Sequence, residues 1–80
     1  MRPLSEIAYD IRKDWKKVNS VGYAAVPYLE AMEQLESIDD NFYADNGRSV
    51  VLYFLANAST WRGPVARSIK KELKYLARRI

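Results

Sequence analysis

Apolar residues recur along this chain with the period of a helix in three places. Leu4, Ile7, Ile11, Trp15 and Val18 are spaced 3, 4, 4 and 3. That spacing predicts one stripe of a helix from about Pro3 to Val18. Pro3 suits a helix start, where its missing N–H would find no partner anyway. Glu6, Asp10, Arg12, Lys13, Asp14, Lys16 and Lys17 fill the remaining faces, and Asn19-Ser20-Val21-Gly22 breaks the pattern.

A second helix is predicted from near Val26 or Pro27 to Ile38. It carries Tyr28, Leu29, Met32, Leu35 and Ile38 on one face and Glu30, Glu33 and Glu36 opposite. Acids near the front of a helix are favoured by its macrodipole. Asp39-Asp40-Asn41 to Asn46-Gly47 reads as a loop of residues that bond to their own backbone, with Phe42 and Tyr43 anchoring it to the core. Residues 48–59 are ambiguous between helix and strand, because Val50-Val51-Leu52-Tyr53-Phe54-Leu55 would suit a buried strand. No other run alternates with period two, and a lone buried strand would leave its backbone groups unpaired. The segment is therefore read as a central helix surrounded by its neighbours, with Asp45 or Asn46 capping its start. Ser59 to Pro64 is a turn with Pro64 at the first position of a last helix. Its apolar stripe is Val65, Ile69, Leu73, Leu76 and Ile80. The expected fold is all-α, a compact bundle of about four helices forming a single helical domain over residues 1–80.

Composition narrows what such a bundle does. With 49% hydrophobic and 29% charged residues the chain is rich enough in apolar groups to fold. Neither cysteine nor histidine is present. Disulfides, thiolate metal sites, the usual general base near neutral pH and every Ser-His or Cys-His arrangement are thereby excluded. Asp39, Asp40 and Asp45 do not match a calcium loop. That pattern needs alternating acids, a central glycine and a closing Glu, whereas position 50 is Val. The three glycines are isolated, so no phosphate-binding loop or nucleophile elbow is visible. No catalytic residue, metal or cofactor and no small-molecule substrate is expected. The longest apolar block, Val50 to Ala56, is too short to cross a bilayer, and no secretory signal is apparent. A cytoplasmic location with no membrane association is the expectation.

Net charge is only +3, but it is polarised. Residues 1–19 carry +2, residues 28–47 carry six acids and no base, and residues 62–80 carry seven bases and one acid. A Lys/Arg row beside aromatics attracts phosphate backbones. The acidic segment, however, offers that row an internal partner that would cancel much of its field. Trp15 belongs to the core stripe. Trp61 sits in a turn, either plugging the end of the bundle or standing exposed as an anchor, since aromatics and Arg dominate binding hot spots. Tyr9 falls off the first stripe and should be exposed. The six tyrosines exceed what a core of this size needs and favour an interface. The expected partner-binding residues are Trp61, Arg62, Arg67, Lys70, Lys71 and Lys74.

The runs Tyr28-Leu29-Glu30-Ala31-Met32, Asp45 through Gly63, Ala66-Arg67 and Lys70-Lys71-Glu72-Leu73-Lys74 carry a resemblance covering nearly the whole chain. It resembles short uncharacterised reading frames of phages and conjugative elements from Gram-positive bacteria. The resemblance implies an accessory protein that binds a host protein or ribonucleoprotein complex stoichiometrically. An anti-defence inhibitor of the anti-CRISPR type is the most specific form. The alternative is a small nucleic-acid-binding helical module that uses the basic C-terminal helix.

Overall fold

The computed structural model describes residues 2–20, 22–42 and 45–78, with Phe42 described by its backbone only. The expectations for the side chains of Phe42 and Tyr43, and for Ile80, lie outside the described residues. Four helices carry the fold: α1 (Leu4–Asp14), α2 (Val26–Met32), α3 (Gly47–Ala56) and α4 (Pro64–Arg78). A 3-10 turn, Tyr23–Ala25, leads into α2. Between α2 and α3 the chain forms a minimal antiparallel hairpin, β1 (Asn41–Phe42) with β2 (Asp45–Asn46), pairing Asn41 with Asn46. The all-α bundle read from the pattern is the fold.

The residues settle each start and stop. Residues 47–56 are helix, as the lack of a partner for a buried strand predicts. Asn46 caps α3, its Oδ1 accepting from the Ser49 N–H at 2.8 Å. Pro64 opens α4 after Gly63, whose φ of 115° turns the chain into the helix in a conformation most side chains disfavour.

α1 stops at Asp14, short of the predicted Val18. Trp15 leaves helical geometry at φ −91°, ψ 80°, and the chain winds back through turns to Gly22. Both Trp15 and Val18 remain buried, so the stripe marked the core correctly while the helix did not follow it. α2 likewise stops at Met32 instead of Ile38. The carbonyls of Leu35 and Glu36 accept the N–H groups of Ser5 and Leu4 at 2.9 and 3.0 Å, capping the start of α1. Pro3 precedes that helix and offers no side-chain cap. Past Met32 the chain tightens into turns, with the N–H groups of Gln34 and Leu35 donating to Ala31 and Met32 three residues back. Asp40 also accepts the Glu36 and Ser37 N–H groups at 3.1 and 3.2 Å.

The core runs through Leu4, Ile7, Ile11, Leu29, Met32, Val51, Phe54 and Leu73, with Trp15 and Trp61 at one end. The stripe of α4 is rotated from its predicted setting. Ala66, Ile69, Leu73, Leu76 and Ala77 are buried, whereas Val65 is exposed. Two alanines on the packed side let α4 lie close to its neighbours. The principal helix contacts run α1 to α2 to α3 to α4 and back to α1, which sets α2 and α4 on the diagonal of the bundle. Among the described residues no helix is long and apolar enough to cross a membrane.

Candidate functional site

α4 buries one side and turns the other to water. Arg67, Lys71, Lys74 and Arg78 are all exposed and follow one another by 4, 3 and 4 residues. At a rise of ~1.5 Å per residue they form a stripe roughly 16 Å long. Together with Lys70 and Tyr75 they line an open groove of about 490 Å³. Among the described residues no carboxylate lies within ion-pairing distance of these five cations.

Two features keep the stripe unneutralised. The single acid of α4, Glu72, is drawn to another side by Arg2, whose Nη2 and Nε donate to its two carboxylate oxygens at 2.7 and 3.2 Å. Arg2 also donates to Asp10, and these hydrogen bonds raise the affinity of its guanidinium for its proton. Glu33, just past the end of α2, pairs with Arg12 of α1. Both described pairs engage acids, Glu72 and Glu33, and leave the cations of the α4 stripe without a carboxylate partner among the described residues.

The six residues expected to meet a partner divide into three groups. Arg67, Lys71 and Lys74 stand exposed in the stripe. Arg62 is exposed beside them and shares a second depression, of about 330 Å³, with Lys16 and Lys17 from the end of α1. Trp61 is removed from the set, being only 2% exposed. Its ring stacks on Trp15 and meets the edge of Phe54, while its Nε1–H donates to Asp14 Oδ2 at 2.8 Å. Stacking, edge contact and the engaged Nε1–H make Trp61 the plug at the end of the bundle.

Lys70 lies between scaffold and surface. Its ammonium donates to the Trp61 carbonyl at 2.6 Å and sits 5.9 Å from the Trp61 ring centroid. Burial lowers its pKa below the ordinary lysine value, and Lys74 and Arg62 lower it further. A cation that feels both neighbours links the α4 stripe to Arg62, and so to Lys16 and Lys17. The periodicity of α4 already put Arg78 on the stripe. Nothing local pointed to Lys16 and Lys17, which reach the site through the turn after α1.

Elsewhere the surface is less one-sided. A groove of about 660 Å³ between α1 and the start of α4 mixes Arg2 and Lys13 with Asp10 and Asp14, so it favours neither sign of charge. Tyr9, Tyr23, Tyr53 and Tyr75 are all largely exposed, as is Leu52 on α3. Tyr28 and Tyr53 form a ring pair with centroids 5.4 Å apart. Among the described residues no three acidic side chains gather closely enough to hold a metal. Comparison with known proteins gives no match to a family model, to a curated protein or to a solved structure.

Proposed function

We propose that this chain acts by binding rather than by turnover, and that the basic face of α4 with Arg62 holds the phosphate backbone of a nucleic acid. The observation that carries the reading is the row Arg67, Lys71, Lys74 and Arg78, mounted on one rigid helix with no carboxylate partner among the described residues. Nature tends to interleave both signs on a merely solvated helix, and α4 instead sends its one acid away. Cations held in a row release condensed counterions when they meet a polyanion, and that release is the main source of sequence-independent affinity.

Fluorescence anisotropy with a labelled oligonucleotide, titrated at several salt concentrations, tests this reading. Four phosphate contacts should give a log–log slope of about −3, from about −0.7 to −0.9 per contact. No binding at low salt, or binding indifferent to salt, overturns it.

A second reading is supported by the exposed Tyr23, Leu52 and Tyr53, none of which lines the groove of the α4 stripe. Amphipathic aromatics outside a core favour protein interfaces. A protein that occupies a host protein or ribonucleoprotein complex would use such a surface. In the mobile-element setting implied by the resemblance, inhibition of a CRISPR effector is its most specific form. Unchanged cutting by purified effectors at equimolar protein would count against that form.

A further inference from the structure

We infer that the nucleic acid bound by α4 is single-stranded, with Tyr75 as the platform on which a base stacks; this rests on the polyanion reading above. Tyr75 is 64% exposed and lies in the same groove as Lys71, Lys74 and Arg78. Its phenol makes no hydrogen bond to another described residue, and its ring contacts no other aromatic ring among them. With Trp61 sealed in the core, Tyr75 is the aromatic side chain lining this groove.

An exposed ring beside a cation row suits single strands for a physical reason. In a duplex the base faces are already stacked on one another, and a helix lying against the backbone meets phosphate and sugar only. In a single strand the base faces are available, and an aromatic ring takes any of them. The cations then hold the phosphates on either side of the stacked nucleotide, and a stripe roughly 16 Å long accommodates a short run of nucleotides.

An anionic membrane surface would also attract the stripe, but α4 has no apolar face left to insert. Ala66, Ile69, Leu73, Leu76 and Ala77 are all buried against the other helices. Interfacial helices bind by placing such a face among the lipid chains. What remains is adsorption through charge alone, to which Tyr75 contributes nothing specific.

The test compares a labelled 12-nucleotide oligo-dT with a 12-base-pair duplex and with vesicles containing phosphatidylserine. Wild type, Tyr75→Ala, Tyr75→Phe and Lys71→Ala are measured, with unchanged thermal melts confirming that these surface variants fold. The single strand should bind more tightly than the duplex. Tyr75→Ala should weaken it about tenfold with the salt slope unchanged, whereas Tyr75→Phe should hold its affinity. Lys71→Ala should lower the salt slope by about one contact. Equal or tighter binding of the duplex, or a single-strand affinity indifferent to Tyr75→Ala, overturns the assignment and leaves the polyanion reading standing. Binding to the vesicles with none to either oligonucleotide overturns both, as does binding to none of the three probes.

Discussion

The indole of Trp61 lies flat on that of Trp15, ring centroids 5.6 Å apart and planes within 8° of parallel. Phe54 presents its ring to both at 6.3 Å in near-perpendicular geometry. This three-ring cluster joins the chain just past α1, the last turn of α3 and the turn before α4. Removing one ring should therefore loosen three elements together. Trp61→Ala is expected to destabilise the fold by about 3–5 kcal/mol. That approaches the whole stability of a domain this small, and a melting temperature within a few degrees of wild type would refute the assignment.

Asp14 secures the same ring from outside the core, accepting the Trp61 Nε1–H at 2.8 Å. Asp14→Ala leaves that donor without its partner and should cost about 1 kcal/mol. Asp14→Asn keeps an oxygen in place and should lose less. Urea unfolding of the two variants distinguishes a hydrogen bond from a general charge effect, which would make them equal.

Gly22 lies under the Trp15 ring. A Cβ built there would fall 2.1 Å from Trp15 Cζ2, although the backbone at φ −102° is open to any residue. Gly47 is closed in by backbone, its Cβ position being 2.7 Å from both Ile38 Cα and Ser37 O. Alanine at either place should destabilise by about 1–3 kcal/mol through overpacking. Gly47→Ala should be the worse of the two, because a side chain can shift more easily than the Ser37–Ile38 main chain. The reverse order in a denaturant titration would contradict this.

Arg2 ties the start of α1 to α4 through Glu72 and also reaches Asp10. The three side chains are each about one-third exposed, so water and salt screen the pairs. Arg2→Met should lower stability by about 1 kcal/mol at low ionic strength, and the difference should shrink as salt rises. A salt-independent loss would point to lost packing instead.

Lys70 gives the bundle a pH dependence of predictable sign. Burial, then Lys74 and Arg62, hold its pKa in the folded protein below the ordinary 10.5. The unfolded chain therefore binds the proton more tightly. Stability contributed by this group rises as pH climbs from the depressed folded value towards 10.5. Measured against Lys70→Met, the wild type should gain stability across that window, and a loss would reverse the assignment. A bound polyanion would screen Lys74 and Arg62, so the Lys70 Nζ titration followed by NMR should move upward on adding oligonucleotide.

Much of this molecule is legible without its tertiary structure. The spacing of Leu4, Ile7 and Ile11 marks the buried side of α1, and Asn46 and Pro64 mark where α3 and α4 begin. The absence of any second alternating run made residues 47–56 a helix. The stripe and the caps are local signals: a residue's neighbours three and four positions away decide which side of a helix is apolar, and a cap answers donors within its own first turn.

What the packing alone decided is of another kind. α2 ends at Met32, and the carbonyls of Leu35 and Glu36 beyond it accept the main-chain donors of Ser5 and Leu4, some thirty residues earlier in the chain. Trp61 is buried because Trp15 and Phe54 arrive from other helices to enclose it. The basic face keeps no acid of its own because Arg2 draws Glu72 away, and it extends because the turn after α1 carries Lys16 and Lys17 to Arg62. Contacts between residues far apart in the chain depend on how whole helices pair. A linear pattern of apolar and polar positions records the side each helix buries and not the neighbour it buries it against.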